Sequence, residues 1–348
     1  MQDTDMTTLQ TPHDLLSAVQ FLIGYHPQNS LVVVALRGEK IGLAMRIDYP
    51  ENLDPLPFQT ITSHLIYEKA DGALLVLYLP EDEKDGELLA KLVASIFKKA
   101  EINVPEILIV KEERWRSLLC QDDKCCSLEG NPLPNLDHSR VAAEQVYSGK
   151  ILPFKTREEL ENSLNYLNEE PFAKEVASKL LHLNEEELNI SIKEFRIKTA
   201  ENCAHLIDKY LENRSISDSE LIAKFVLDLN DLTIRDYAFG ITTQESLEVL
   251  WEFWLWTLRI TPIGFRAPIA TIFAVLSYER GEAAIANQSL EIAFIDNPQY
   301  SMANLLKRTF DAGWPASAFE SMRRELHPKI CETIFSPLEQ ELEEEKSS

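Results

Sequence analysis

Apolar residues recur at Leu15, Leu16, Val19, Leu22 and Ile23, the spacing of one helix face, and Gly24 follows where a left-handed cap belongs. The turn YHPQNS then leads into LVVVAL (Leu31 to Leu36), a continuous apolar β run. After RGEK, the stretch IGLAMRID (Ile41 to Asp48) alternates apolar with small or polar residues, and the two runs predict a hairpin. A helical pattern returns from Pro57 to Lys69, and ALLVLYL (Ala73 to Leu79) reads as a strand. A second helix spans Gly86 to Ala100, and EILIVK (Glu106 to Lys111) reads as another strand. Strands alternating with helices predict parallel crossovers, with the first hairpin as an antiparallel edge. The unbroken runs LLVL and ILIV predict strands covered on both faces. RWRSLLC (Arg114 to Cys120) offers one more strand, and HSRVAAEQVYSG forms a helix closing at Gly149. The expectation is an α/β domain over residues 1–150, a mixed sheet in three layers, followed by KILPFKTR as a linker.

From Thr156 onward no strand pattern occurs. Helix starts are marked by capping boxes, in which a side-chain oxygen and a carboxylate three residues on satisfy free amides of the first turn. Thr156 with Glu159, Asn184 with Glu187, Ser217 with Glu220 and Thr242 with Glu245 fit that pattern. An all-α domain of eight to ten helices is expected over residues 151–335, then an acidic tail over 336–348. Within YERGEAAIANQSLEIAFIDNP, the residues Gly281, Ala286, Ala293 and Pro298 are spaced as in the second half of a tetratricopeptide repeat, with Ala274 in the small position of the preceding helix. Ala270 and Phe273 depart from the pattern upstream. An ordinary helix pair fits as well, because stacking needs about three repeats.

Length and charge narrow the picture. A chain of 348 residues exceeds the comfortable size of one core, which agrees with two domains. The chain carries 57 Asp plus Glu against 34 Lys plus Arg, a formal charge of -23 that repels phosphate backbones and anionic lipid surfaces. Nucleic acid and membrane are therefore not expected as partners. MQDTDMTTLQ resembles no secretory signal, and LWEFWLWTLRITPIGF is broken by Glu252, Arg259 and Pro262, so a cytoplasmic protein is expected. The odd count of five cysteines fits free thiols in a reducing compartment.

Several stretches carry a family likeness: FLIGYHPQNSLVVVAL, RWRSLLCQDDKCCSLEGNPL, SRVAAEQVYSGK, and the run from LRITP through YERGEAAIANQSLEIAFIDNPQYSMANLLKRTFDAGWP. In these the chain resembles the bacterial family called domain of unknown function 4192. The matching pieces cover both expected domains in the same order. The resemblance assigns no activity and no catalytic role. At Trp314-Pro315 this chain departs from it, since a smaller apolar residue is expected before the proline.

Three of the five cysteines, Cys120, Cys125 and Cys126, fall in SLLCQDDKCCSLEGNP. Four residues separate the first two, an acceptable zinc spacing, whereas adjacent cysteines point opposite ways in extended chain. A fourth ligand would come from His138, Asp122, Asp123 or the distant Cys203. Metal ligation, redox-active thiols and plain packing around a turn all remain open. Flanking Asp122, Asp123 and Glu129 raise the thiol pKa against Lys124, which disfavours a reactive nucleophile. In GYHPQNS, His26 and Ser30 offer a base and a nucleophile, or else only a capped bend. Arg235-Asp236 and Arg259, beside the Trp-rich stretch, suggest an anion site or a structural pairing. Trp251, Phe253, Trp254 and Trp256 cover most sides of one helix, the mark of a buried hub. No phosphate-loop, dinucleotide, nucleophile-elbow or metalloprotease fingerprint occurs.

Together these features suggest a protein-interaction or ligand-sensing module, its acidic helical half facing a protein partner and its α/β half serving as scaffold or small-ligand sensor. A hydrolase or a thiol- or zinc-dependent enzyme, with its site on the α/β domain, is the alternative.

Overall fold

Thr11 accepts the Asp14 amide at 3.1 Å while the Asp14 carboxylate accepts the Thr11 amide at 3.2 Å, a reciprocal cap that starts helix α1 (Pro12–Ile23). Gly24, at φ +82°, ends it as the sequence predicts. The computed structural model describes residues 9–38, 40–122, 125–183 and 191–336. The expected box of Asn184 with Glu187 and the acidic tail lie outside these, the tail from residue 337.

The predicted hairpin forms as β1 (Ser30–Arg37) and β2 (Lys40–Asp48), which pair antiparallel. After them come α2 (Leu56–Tyr67), β3 (Gly72–Tyr78), α3 (Glu87–Lys99), β4 (Asn103–Lys111), β5 (Arg114–Ser117) and the two-residue β6 (Asn131–Pro132). The sheet order is β2-β1-β3-β4-β5-β6. Only the β3/β4 neighbours are parallel among the described residues, so the expected run of parallel crossovers, with the hairpin as an edge, needs correction. β1 lies between β2 and β3 and pairs antiparallel with both. The reason lies in its side chains: Leu31 to Val34 are apolar on both faces and wholly buried, which an edge does not allow. β2 carries Lys40, Arg46 and Asp48 and takes the solvent side.

One face of the sheet presents Leu31, Val33, Leu75, Leu77, Ile107 and Ile109 to Phe58 and Leu65 of α2 and to Leu89, Val93 and Phe97 of α3. Val32, Val34, Val76 and Leu108 point the other way and are equally buried. On that side α1 packs against α4 (Arg140–Tyr147), and His13 of α1 meets the Trp115 ring edge-on at 5.5 Å. A mixed sheet between two helical layers is thereby built, as expected. The segment read as a linker is tied to the α1 end: Phe154 bridges Tyr25, accepts the His26 amide at 3.0 Å and donates its own to Gly24 at 2.9 Å.

The chain forms two compact units, Met1–Leu160 and Glu161–Ser348. After β6 every regular element among the described residues is helical. They run α5 (Arg157–Ser163), α6 (Pro171–Leu183), α7 (Ile192–Asn213), α8 (Ser219–Asp228), α9 (Leu232–Gly240), α10 (Leu247–Ile260), α11 (Ala267–Glu279), α12 (Ala283–Asp296), α13 (Ser301–Asp311) and α14 (Ala316–Phe335). Thr156 does accept the Glu159 amide, at 3.1 Å. Ser217, however, is not the cap of α8: Oδ1 of the neighbouring Asp218 accepts both the Glu220 and Leu221 amides, at 3.1 and 3.0 Å. Near α10 the reciprocal pair is Thr243 with Ser246, and Thr242 is buried behind it.

The Trp-rich helix α10 is the buried hub expected: Phe253 and Trp254 are wholly enclosed, and Trp251 donates from its indole to Ser277 at 2.9 Å. α11 and α12 pack as a hairpin around Gly281, at φ +76°, with Ala274, Ala286 and Ala293 wholly buried between helices. The tetratricopeptide resemblance rests on this one hairpin.

Candidate functional site

Ser117, the last residue of β5, donates to the Glu106 carboxylate of β4 at 2.6 Å and accepts the amides of Leu119 and Cys120 at 3.1 and 3.0 Å. The loop therefore leaves the sheet bent, with Cys120 pinned to its edge. Further on, the Asp122 carbonyl accepts the amides of both Cys125 and Cys126, closing a tight turn. Asn131 of β6 donates to the Cys125 carbonyl at 2.8 Å, and Arg114 donates to the Glu129 and Gly130 carbonyls, both at 2.6 Å. Gly130 sits at φ +72°, and a Cβ there would lie 2.9 Å from the Trp115 carbonyl oxygen. Both stems of the loop are thus anchored on β5.

This scaffold brings the three cysteines together: the Sγ atoms of Cys120, Cys125 and Cys126 all lie within 4.8 Å of one another. The adjacent pair is 3.9 Å apart, Sγ to Sγ. That corrects the expectation that neighbouring cysteines diverge, because the turn closed by Asp122 replaces the extended backbone on which it rests. All three are free thiols, Cys125 exposed and the other two half-buried. Burial, with the neighbouring Cys120 and Cys125 thiols, pushes Cys126 up to about 11, against a pull downward from the Ser117 backbone. An uncoordinated thiol in that state is a poor nucleophile.

Of the other expected ligands, His138 lies exposed on a short 3-10 turn (Leu136–His138) and takes no part in the thiol cluster. Cys203 is buried in α7, and burial drives its thiol strongly upward. Asp122 contributes its backbone carbonyl to the turn. Asp123 and Lys124 lie outside the described residues. Sequence reasoning overlooked Ser117, Glu106 and Asn131; a serine three residues before the first cysteine was the available signal.

Beside the loop a cavity of about 280 Å³ opens at the carboxyl ends of β3 and β4, lined by Lys84, Lys111, Arg114, Arg116 and Gly130 among others. Ligands of α/β sheets bind at such ends. Here Lys111 already donates to the Glu81 and Glu83 carbonyls, at 3.2 and 2.7 Å.

The His26 and Ser30 pair does not form a base and nucleophile. Ser30 is wholly buried at the start of β1 and its hydroxyl has no hydrogen-bond partner, so it does not bond to His26. His26 is half-buried, and that burial lowers its pKa against the opposing pull of Glu113 and Glu159. In the helical unit, Arg235 donates to Asp236 at 2.8 and 2.6 Å and to the Tyr300 hydroxyl at 3.1 Å, which spends most of its donors inside the protein. Arg259 does not join them: its buried Nε has no partner, and the arginine lying over a Trp face is Arg280, 4.2 Å above Trp251.

Residues 12–317 match the family described as Domain of unknown function (DUF4192). The chain belongs to that family. The DUF4192 match covers the whole sheet, the cysteine loop and most of the helical unit. No curated protein and no solved structure matches the chain. No helix among the described residues is long and apolar enough to cross a membrane. The DUF4192 match assigns no residue a role, so the reading of the cysteine loop rests on its geometry.

Proposed function

We propose that this protein is a thiolate metal-binding, ligand-sensing module in which Cys120, Cys125 and Cys126 take up a soft divalent cation, with zinc the best fit. One observation carries the reading: three Sγ atoms lie within 4.8 Å of one another, and the adjacent pair is 3.9 Å apart. Tetrahedral zinc with Zn–S bonds of about 2.3 Å places its sulfurs about 3.8 Å from each other. The loop is preorganised by Ser117, Asn131 and Arg114, which lowers the ordering cost of binding. Three thiolates leave one tetrahedral position for water or an incoming ligand. Occupancy would tighten the attachment of the two-residue β6 to β5, so metal loading is coupled to the sheet edge.

Elemental analysis of the purified full chain tests this. About one zinc per chain is expected, falling sharply in a Cys125→Ser/Cys126→Ser variant, and cobalt in place of zinc should give the intense visible absorption of a tetrahedral thiolate complex. A chain that holds no zinc after equilibration with the metal, or a variant that holds it as well as the parent, refutes the proposal.

A second reading, docking of a protein partner on the helical unit, is favoured by Trp314, which stays 45% exposed although its carbonyl accepts from Tyr278 and its ring lies 6.4 Å from Phe319. The test is differential: a partner retained by the parent and lost by Trp314→Ala supports it, and equal retention refutes it.

A further inference from the structure

Three residues that line one cavity in the helical unit each hold a buried polar atom without a hydrogen-bond partner, at a place the sequence does not announce. The cavity, about 360 Å³, lies between the α9–α10 connection and α14. Arg323 of α14 is 2% exposed; its Nη2 donates to Glu279 at 2.8 Å, its guanidinium lies 5.6 Å above the Phe239 ring, and Nη1 has no partner. Thr242 is 2% exposed, and its hydroxyl has no partner. His327 contributes Nδ1, also unpartnered, while Nε2 lies 3.5 Å from the Cys331 Sγ. Burial raises the Cys331 thiol pKa, so the thiol keeps its proton at neutral pH. In the tautomer whose Nε2 accepts from that thiol, Nδ1 carries the imidazole proton and is a donor.

A buried donor without a partner costs about 1–3 kcal/mol, and such groups in native proteins call for an explanation. Here a guanidinium, a hydroxyl and an imidazole belong to residues of one cavity lining, so the complement is a ligand rich in acceptor oxygens. Charge sets its class. Glu279 offsets Arg323 within the protein, Arg324 adds a positive group, and Glu245 and Glu320 stand in the same lining. With Arg323 cancelled by Glu279 and Arg324 set against Glu245 and Glu320, the lining carries a net negative charge, which opposes a doubly charged phosphate more than a singly charged ligand. A single carboxylate meets three donors and a weaker penalty. The volume lies at the small end of the ~300–1,000 Å³ range of ligand pockets. Gly240 lets the His327 ring pack close: a Cβ at that position would lie 2.2 Å from Nδ1.

We propose that Arg323, Thr242 and His327 form a binding site for a small organic monocarboxylate in the helical unit. Pyruvate and acetate are the probes, with inorganic phosphate as comparator at matched ionic strength. The readout is the imidazole nitrogen NMR signal of His327 in the full chain, identified among the seven histidines by its loss in His327→Gln. Saturable displacement of that signal by at least one acid is expected, and phosphate should bind more weakly. Thr242→Val, which removes the hydroxyl at nearly constant volume, should weaken binding roughly tenfold, a change of about 1.4 kcal/mol. Should that variant fail to fold, the exposed Arg324→Gln carries the test with a weakening of roughly threefold. Absence of saturable displacement by both acids overturns the site. So does phosphate binding more tightly than either acid, or unchanged affinity in the variant tested.

Discussion

Arg323 Nη2 donates to Glu279 Oε2 at 2.8 Å, and the two side chains are 2% and 4% exposed. The pair joins α11 to α14 where water cannot screen it. Burial pushes the Glu279 carboxyl up to about 7, and only the attraction of Arg323 and its hydrogen bond work against that rise. Removing one partner leaves the other charge buried and alone. Arg323→Met is therefore expected to lower stability by about 3–5 kcal/mol, while Arg323→Met with Glu279→Leu recovers most of the loss. Urea unfolding followed by tryptophan fluorescence checks both. A double variant as unstable as the single one would show that packing, not uncompensated charge, sets the cost.

Gly130 holds the second stem of the cysteine loop in a left-handed conformation against the Trp115 carbonyl. Gly130→Ala is expected to cost about 1–3 kcal/mol, since both the backbone angle and the 2.9 Å approach resist a methyl group. The same change should weaken zinc retention, because the stem positions Cys125 and Cys126. Unfolding midpoints and zinc titration of the same preparation check the two effects together.

Gly240 and His327 make a contact that leaves no room for a side chain, with Nδ1 2.2 Å from the place a Cβ would occupy. Gly240→Ala alone is expected to destabilise by about 1–3 kcal/mol through overpacking. In the background of His327→Ala the same substitution should cost much less. The coupling in that double-mutant cycle, read from urea midpoints, is the measurement.

Asp228, the last residue of α8, is pushed up to about 7 by burial and by Asp231, with Lys224 pulling the other way. Its position at a helix carboxyl end adds to the cost of its charge. The folded state holds a proton that the unfolded chain releases above its ordinary value of 3.8. Stability therefore falls as pH rises from about 4 to about 7, and the loss is complete above that window. Asp228→Asn should show a smaller fall, the part due to Glu279 remaining, and should exceed the parent by about 2 kcal/mol at pH 8, after allowance for partial solvent screening. Equal stability of the two proteins at pH 8 would contradict this account.

The strands and their burial were readable because LVVVAL, ALLVLYL and EILIVK are apolar on both faces, a local property. Where β1 pairs was not, since a hairpin has two free edges and the sequence does not mark which one β3 joins. β6 escaped notice because two residues carry no period. At α8, Ser217 and Asp218 are adjacent cap-formers, and only the geometry shows that the carboxylate reaches two amides. The cysteines were visible as a set, yet their convergence depends on the Asp122 turn and on Ser117, which spacing does not disclose. Arg323 left no local trace at all: its partner is 44 residues away.

The strand order has a consequence for how the sheet is made. Once β1 and β2 close on each other, β3 joins the open side of β1, and β4, β5 and β6 each join the strand laid down before it. That order allows growth along one front, in the order of the strands along the chain. No strand has to be threaded between two that are already joined, and the cysteine loop, between β5 and β6, lies at the far end of that order.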